Sequence, residues 1–394
     1  MPGDRWADAQ KLLCVRLDSL GDVLLTTPAI AALKRSRPGR SITLLTSASG
    51  VEVAPLVPDI DEIIRYDAPW MKHTAERQHP AGDERIIAHL RGERFDAAVI
   101  FTVYSQNPLP AALLCYLADI PLRAAHCREN PYQLLTDWVR EIEPDEQIRH
   151  EARRQLDLVA ALGAHTPDER LRLVVSLLAR RHVRTCLNEL GIDVARPWAV
   201  VHPGATAPSR RWPAEQFAEV ATRLAVGEGW QIVFTGDRGE QPLIAEIQRL
   251  CGAATWSLAG RLGLDELAAL IEAAPLLISN NTGPVHIAAA VGTPVVDLYA
   301  LTNPQHTPWQ VPHRVLFHDV PCKYCYKSVC PEGHHDCLRL VTAETVLRAA
   351  IELYEESQLI HETLPVAGAE SWRCPGSPSP GHRQASAPAT AARL

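Results

Sequence analysis

The sequence predicts an α/β protein made of two tandem units, each a parallel sheet flanked by helices. Three observations predict it. Short apolar runs alternate with segments whose apolar residues recur at helical spacing, the grammar of βαβ units. The same alternation starts afresh after residue 197. Finally, a chain of 394 residues, 46% hydrophobic, exceeds the roughly 250–300 residues at which a single core stops growing.

Taken in order, KLLCVRLD reads as a buried strand, and SLGDVLLTTPAIAALKRSRPG has helical apolar spacing from Val23 onward. SITLLTSA, DEIIRYD and FDAAVIFTV are further strands, with VEVAPLV, ERIIAHLRG and PAALLCYLADI as the periodic segments among them. EARRQLDLVAALGA is an amphipathic helix closed by Gly163, and ARRHVRTCLNELG ends near Gly191. A hinge at 192–197 opens the second unit. There WAVVHPG, GWQIVFTG, ATWSLAG, APLLISNN and PVVDLYA are strands, and PAEQFAEVATRLAVGEG, QPLIAEIQRLCG, LDELAALIEAA and PVHIAAAVG are helices. The expected division is 1–191, 192–363 and a Pro-, Ser-, Ala- and Gly-rich tail, 364–394, expected to be disordered. Many of the 31 prolines mark strand-to-helix turns, as in TTPAI, HPGA, RWPAE and TGPVH.

A net charge of −7 argues against a protein built to coat nucleic acid. The start, MPGDRWADAQ, lacks the basic and apolar regions of a secretory signal, and no run of about 18 apolar residues offers a membrane span. The expected location is the cytoplasm. Cys14, Cys115, Cys127, Cys186 and Cys251 are scattered through the chain and read as free buried thiols, which suits that location.

Ligands of open parallel sheets bind beyond the carboxyl ends of the strands, and four loops there carry suitable chemistry. Asp18-Ser19-Leu20-Gly21-Asp22 follows the first strand. Its carboxylates either cap the next helix or act on a substrate, and a helix N-terminus stabilises a carboxylate by about 0.3–1 kcal/mol. HPGATAPSRRWP offers backbone N–H groups and the pair Arg210 and Arg211, whose forks suit a diphosphate, or which are simply an exposed pair at a helix start. TGDRGEQP, with Glu240, either receives ribose hydroxyls or starts a helix. Asn281, Thr282 and Gly283 begin a helix whose N-terminus is an anion site, and His286 one turn later faces ligand or core.

No GxGxxG follows a strand, which disfavours a nicotinamide dehydrogenase, and no P-loop is present. Asp59-Ile60-Asp61 has the look of a metal-holding DxD, but it stands at the wrong end of a strand and reads as a turn.

RLDSLGDVLLTTPAIAALKRSRP, HPGATAPSRRWP, SLAGRLGLDELAALIEAAPLLISNNTGPVHIAAAVGTPVVDLY and CKYCYKSVCPEGHHDCL, in that order, resemble the heptosyltransferases of glycosyltransferase family 9 over about residues 11–355. The resemblance implies a GT-B fold, two Rossmann-like domains facing across a cleft, with acceptor bound by 1–191 and nucleotide sugar by 192–363. It implies inverting, metal-independent transfer of a sugar, heptose from ADP-heptose, to a lipopolysaccharide-core or related glycan. Asp22 is then the catalytic base, with Ser19 and Gly21 on the acceptor side. Thr206, Arg210, Arg211, Glu240, Asn281, Thr282, Gly283 and His286 fall to the donor, with Arg210 in the place of a family lysine. Asn281 stands where relatives often carry Asp, which removes a charge near the donor sugar. Another nucleotide sugar, another acceptor, or a protein that binds nucleotide sugars without catalysis are the alternatives.

Such a transfer needs a carboxylate to take the acceptor's proton and positive groups to stabilise the departing diphosphate. A cleft that closes would limit hydrolysis of the donor. Two features remain. Cys322, Cys325, Cys330 and Cys337 have spacing compatible with a structural zinc, or are free thiols or a disulfide. Lys34, Arg35, Arg37 and Arg40 either meet the inner membrane face or complement the end of the first long helix.

Overall fold

The computed structural model describes residues 2–363 except 73, 77 and 78, so the expected tail lies outside the described residues. After a short helix, α1 (Pro2–Asp8), the first sheet is assembled from β1 (Lys11–Arg16), α2 (Leu20–Arg35), β2 (Ser41–Thr46), α3 (Ala48–Val53) and β3 (Glu62–Arg65). It continues with α4 (Ala81–Glu93), β4 (Ala97–Ile100), α5 (Leu109–Leu117), β5 (Leu122–Cys127) and β6 (Asp137–Arg140). Two helices, α6 (Glu151–Ala160) and α7 (Leu177–Glu189), lead into the second sheet. That sheet comprises β7 (Trp198–His202), α8 (Ala214–Gly227), β8 (Gln231–Phe234), α9 (Gln241–Leu250), β9 (Trp256–Ser257) and α10 (Leu264–Ala273). β10 (Leu277–Asn280), α11 (Gly283–Val291), β11 (Val295–Leu298) and β12 (His313–Leu316) complete it, followed by α12 (Asp336–Arg339) and α13 (Ala343–Thr363).

Both sheets have six strands, ordered β3-β2-β1-β4-β5-β6 and β12-β11-β10-β7-β8-β9. Every pairing is parallel. Counted from its own first strand, the second sheet repeats the order of the first, so both halves are Rossmann-like and the GT-B expectation is met. Strands covered on both faces must be apolar throughout, which is why KLLCV and WAVV were legible as strands. Val15 pairs with Leu45 and Ile100, and Val200 with Val233 and Leu277. The strand order reverses beside β1 and beside β7, which opens a crevice past their carboxyl ends.

Three strands escape the sequence reading. β5 carries Arg123 and His126, both buried, and Arg123 satisfies itself on the carbonyls of Leu134 and Gln133. β6 and β12 are edge strands with polar or half-exposed residues, so neither shows a continuous apolar run.

Helix α2 is apolar around most of its circumference because it lies between α6 and α11, joining the halves. One apolar cluster accordingly holds Leu12 and Val99 of the first sheet with Trp198 and Leu277 of the second. Helix α7 packs on α10, with Arg180 paired to Glu272 at 2.6 Å, so packing joins it to the second sheet although the expected boundary at 191 places it in the first.

The proline of TTPAI is a correction: Pro28 lies inside α2, not in a turn. A proline there leaves the Leu24 carbonyl without its helical donor. The Thr27 hydroxyl donates to that carbonyl at 2.6 Å and accepts from Arg172 N at 2.9 Å, which makes the break tolerable.

The four basic residues near the end of α2 are engaged within the fold. Arg40 is buried and donates to the carbonyls of Ala9, Leu33 and Trp6. Lys34 pairs with Asp61, Arg35 donates to Thr166 and Arg37 to Ala7 O. Asp59 pairs with Arg172, and Asp61 also accepts from Ile42 N, so the DxD-like string is structural. Among the described residues no helix is long and apolar enough to cross a membrane. Four of the scattered thiols are buried, and Cys251 is half-buried.

Candidate active site

The first loop converges on Arg16. This side chain, the last of β1, is fully buried and meets three carboxylates: Asp18 at 3.0 Å, Asp22 at 3.1 Å and Glu151 of α6 at 2.9 Å. Asp22 is tied from both of its oxygens. Ser19 N and Ser19 Oγ donate to Oδ2 at 3.1 and 2.6 Å, and an Arg16 nitrogen donates to Oδ1. Burial alone would raise its pKa, but the Arg16 charge and the two Ser19 hydrogen bonds, joined by His306 when that ring is protonated, hold it well below the ordinary carboxylate range. Asp18 goes the other way. Burial outweighs Arg16 and the hydrogen bond from Gln106, and pushes its pKa up to about 6. One loop thus holds two carboxylates separated in acidity by their surroundings, a recurrent mark of functional sites.

Gly21 is explained by the second half. A Cβ there would lie 2.6 Å from His286 Cδ2, so glycine is what lets α2 approach α11. His286 is buried at this seam with Nδ1 unpartnered, and burial lowers its pKa to about 3. It packs on Gly21 of the first loop. Gly283 likewise leaves room for Leu20, whose Cδ2 would stand 3.2 Å from an added Cβ.

Of the donor candidates, Glu240 closes over the β7 and β8 loops. Added Cβ atoms at Gly204 and Gly236 would collide with its carboxyl oxygens at 1.8 and 2.8 Å, and it accepts from Asp237 N at 2.9 Å. Burial raises its pKa, and that of nearby His202 is lowered to about 4 by burial. Arg210 is half-buried in a short turn, Pro208–Arg210, and its charge reaches His286, Asp297 and His306. Arg211 is exposed and bends back to Ala205 O at 2.7 Å, while Thr206 is exposed at the loop tip. The two arginines thus act on different groups: the Arg210 charge on His286, Asp297 and His306, and the Arg211 charge on Glu240.

Asn281 donates both amide hydrogens, to Asp297 Oδ2 at 2.9 Å and to His306 O at 3.0 Å. Its remaining polar atom, Oδ1, is an acceptor, as a carboxylate oxygen would be. Asp297, in β11, is fully buried, and burial raises its pKa well above the usual range despite the Asn281 bond and the Arg210 charge. Thr282 holds the N-cap position of α11, but its hydroxyl donates instead to Asn280 O at 3.2 Å.

Residues 303–309 form a strap from the second half onto the first. Glu151 N donates to Gln305 O at 3.0 Å, and His150 Nε2 donates to Thr307 O at 2.8 Å. The Trp309 ring stacks on His150 at 4.4 Å, and its Nε1 donates to Glu169 O at 2.7 Å. Held between those anchors, His306 Nε2 stands 3.7 Å from Asp22 Oδ1. Arg16, Glu151 and His306 were outside the sequence reading, because no spacing links residues 16, 151 and 306.

The four clustered cysteines line one small cavity of about 20 Å³ with His334 and His335. Cys322 Sγ lies 3.7 Å from His334 Nε2, yet among the described residues no group of three or more His, Cys, Asp or Glu side chains is arranged to hold a metal ion. The cysteines of the cluster are free. The segment also braces the loop of Arg210, since Ser209 donates to the carbonyls of Lys327 and Ser328.

The family model of glycosyltransferase family 9 (heptosyltransferase) matches residues 84–335. Lipopolysaccharide heptosyltransferase 2 of Escherichia coli (strain K12) is 28% identical over 364 residues, 88% of this chain and 100% of the relative. The Salmonella typhimurium protein of the same name is 26% identical over 361 residues, 88% of this chain and 99% of its own. Among solved structures, a glycosyl transferase family 9 protein from Veillonella parvula has a TM-score of 0.74 at 24% identity, covering 88% and 98% of the two chains. The ADP-heptose lps heptosyltransferase II of E. coli has a TM-score of 0.69 at 24% identity, covering 89% and 100%.

Proposed function

Because the chain belongs to glycosyltransferase family 9, the heptosyltransferases, we propose that it transfers heptose from ADP-heptose to a glycan of the lipopolysaccharide core. The observation that carries this reading is Asp22. It is a deprotonated carboxylate at the seam of the two halves, fixed by Arg16 and Ser19, with a donor-side loop directly opposite. Asp22 takes the proton of the acceptor hydroxyl while that oxygen attacks C1 of the sugar and the diphosphate leaves from the other face, inverting the centre. Arg210 and the N-terminal amides of α11 receive the departing charge, so the step calls on no metal cofactor. Ser19 and Gly21 line the acceptor side. Glu240, Asn281, Thr282 and Gly283 line the donor side, with Thr206 and Arg211 at its rim.

A second reading, the same chemistry on another nucleotide sugar, has its own support. Asn281 offers the donor a neutral acceptor, and the nearest carboxylate, Asp297, lies behind it. Purified protein with ADP-heptose and a deacylated core acceptor should release ADP. Asp22→Ala should abolish turnover and leave donor binding, measured by calorimetry, within about threefold. If no nucleotide sugar binds, the transferase reading fails, and binding of a different one selects the second reading.

A further inference from the structure

His306 has no role in the reading above, yet it is placed with care. Its backbone is fixed on both sides: His306 N donates to Tyr299 Oη at 3.2 Å, and its carbonyl accepts from Asn281. The neighbouring carbonyls of Gln305 and Thr307 are held by the first residues of α6. Its Nε2 is buried, has no hydrogen-bond partner, and is aimed at Asp22 Oδ1 from 3.7 Å. The strap thus delivers one imidazole nitrogen to one carboxylate oxygen.

Asp22 needs such a neighbour. A carboxylate held far below its ordinary pKa becomes a strong acid once it has taken a proton, and must pass it on before the next turnover. Oδ2 is occupied by Ser19, and the other group on Oδ1 is Arg16, which is already protonated. The imidazole is the remaining proton acceptor at that oxygen.

We propose that His306 is the proton relay of the transfer reaction, receiving on Nε2 the proton that Asp22 Oδ1 takes from the acceptor hydroxyl. The acceptor oxygen–C1 bond forms and the C1–diphosphate oxygen bond breaks, its electron pair leaving with the nucleotide. The proton moves from the hydroxyl to Asp22 and from Asp22 to neutral His306, which carries its own proton on Nδ1. The imidazolium so formed faces Asp22 and Glu151, which favour it, and Arg16, Arg210, His286 and His150, which together with burial disfavour it. The pKa of His306 is lowered from its ordinary value, first by burial, so the ring is neutral and ready to accept near pH 7. At 3.7 Å the two atoms lie beyond hydrogen-bond range, and the transfer requires them to close to about 3 Å.

The relay rests on Asp22 being the base, and the test separates the two. Full-length enzyme is assayed by ADP release with ADP-heptose and deacylated core acceptor, as wild type, His306→Ala, His306→Gln and Asp22→Ala. The expected result for both His306 variants is a kcat about 10²-fold lower, the usual size of a proton-transfer contribution, with the donor KM within about threefold. Added imidazole should restore His306→Ala in proportion to its neutral form, and His306→Gln should lose the acid limb of the kcat–pH profile. A His306 variant with wild-type kcat overturns the relay. So does a loss of rate that imidazole does not repair and that leaves the acid limb in place, because a structural role would do that. If Asp22→Ala is as fast as wild type, the base assignment itself fails.

Discussion

Arg16 shows how much one residue sets the chemistry of this site. It is fully buried among three carboxylates, and its charge is what keeps Asp22 ionised in a place where burial favours the neutral acid. Removing one partner of a buried ion pair costs more than the pair contributes, because the other charge stays behind. Arg16→Met should therefore lower stability by roughly 3–5 kcal/mol in urea unfolding and abolish turnover. Arg16→Lys keeps the charge but cannot fork to three partners, so it should recover part of the stability and little of the rate. A Met variant as stable as wild type would mean that the carboxylates are protonated. Gly21 tests the approach of the halves. Gly21→Ala places a Cβ 2.6 Å from His286, and should cut kcat more than tenfold while the urea midpoint of either half changes little.

Helix α2 carries the Asp22 loop at its start and a proline in its middle. Ser19 caps the helix and holds Asp22, while Thr27 repairs the carbonyl that Pro28 leaves open and also receives Arg172 N. Thr27→Val would strand a buried carbonyl and a part-buried N–H. The expected loss is about 1–3 kcal/mol, read from the urea midpoint, with little change in KM. An unchanged midpoint would show that Pro28 needs no such repair. The helix was legible as a helix from its apolar spacing. The proline was misjudged because a turn is the commoner place for one, and its compensating hydroxyl acts through a contact with residue 172. The strands missed in the sequence are explained the same way. Arg123 makes β5 read as polar, and only the folded chain supplies the carbonyls that satisfy it.

The whole molecule buries imidazoles on a scale that makes its stability depend on pH. Burial lowers His126, His150 and His202 to about 4 and His286 to about 3, from an ordinary value of 6.5. Between these values the unfolded chain binds protons that the folded one refuses. Their contribution is complete above pH 6.5 and is lost as pH falls toward 4. Asp18, raised to about 6, and Glu143, Glu240 and Asp297, also raised by burial, have the opposite sign over part of that window and offset part of the histidines' effect. The urea midpoint should fall steadily from about pH 7 to about pH 5. A flat profile would mean that the histidines are not sealed from water.

The sequence by itself determined two repeated βαβ units and the loops at their strand ends, and it singled out Asp22, Arg210 and the Asn281–His286 turn as candidates. These are local properties: apolar periodicity, glycine and proline placement, and the residue types that cap helices. Only the tertiary structure decided which of them act together. Folding brought Glu151 to Arg16 and His306 to Asp22, bent Arg211 back onto its own loop, and drew the basic residues at the end of α2 into the fold. The reason is physical. The acidity of a carboxylate and the freedom of an arginine depend on burial and on charges within a few ångströms, and residues 16, 22, 151 and 306 become neighbours only when two sheets close on one another.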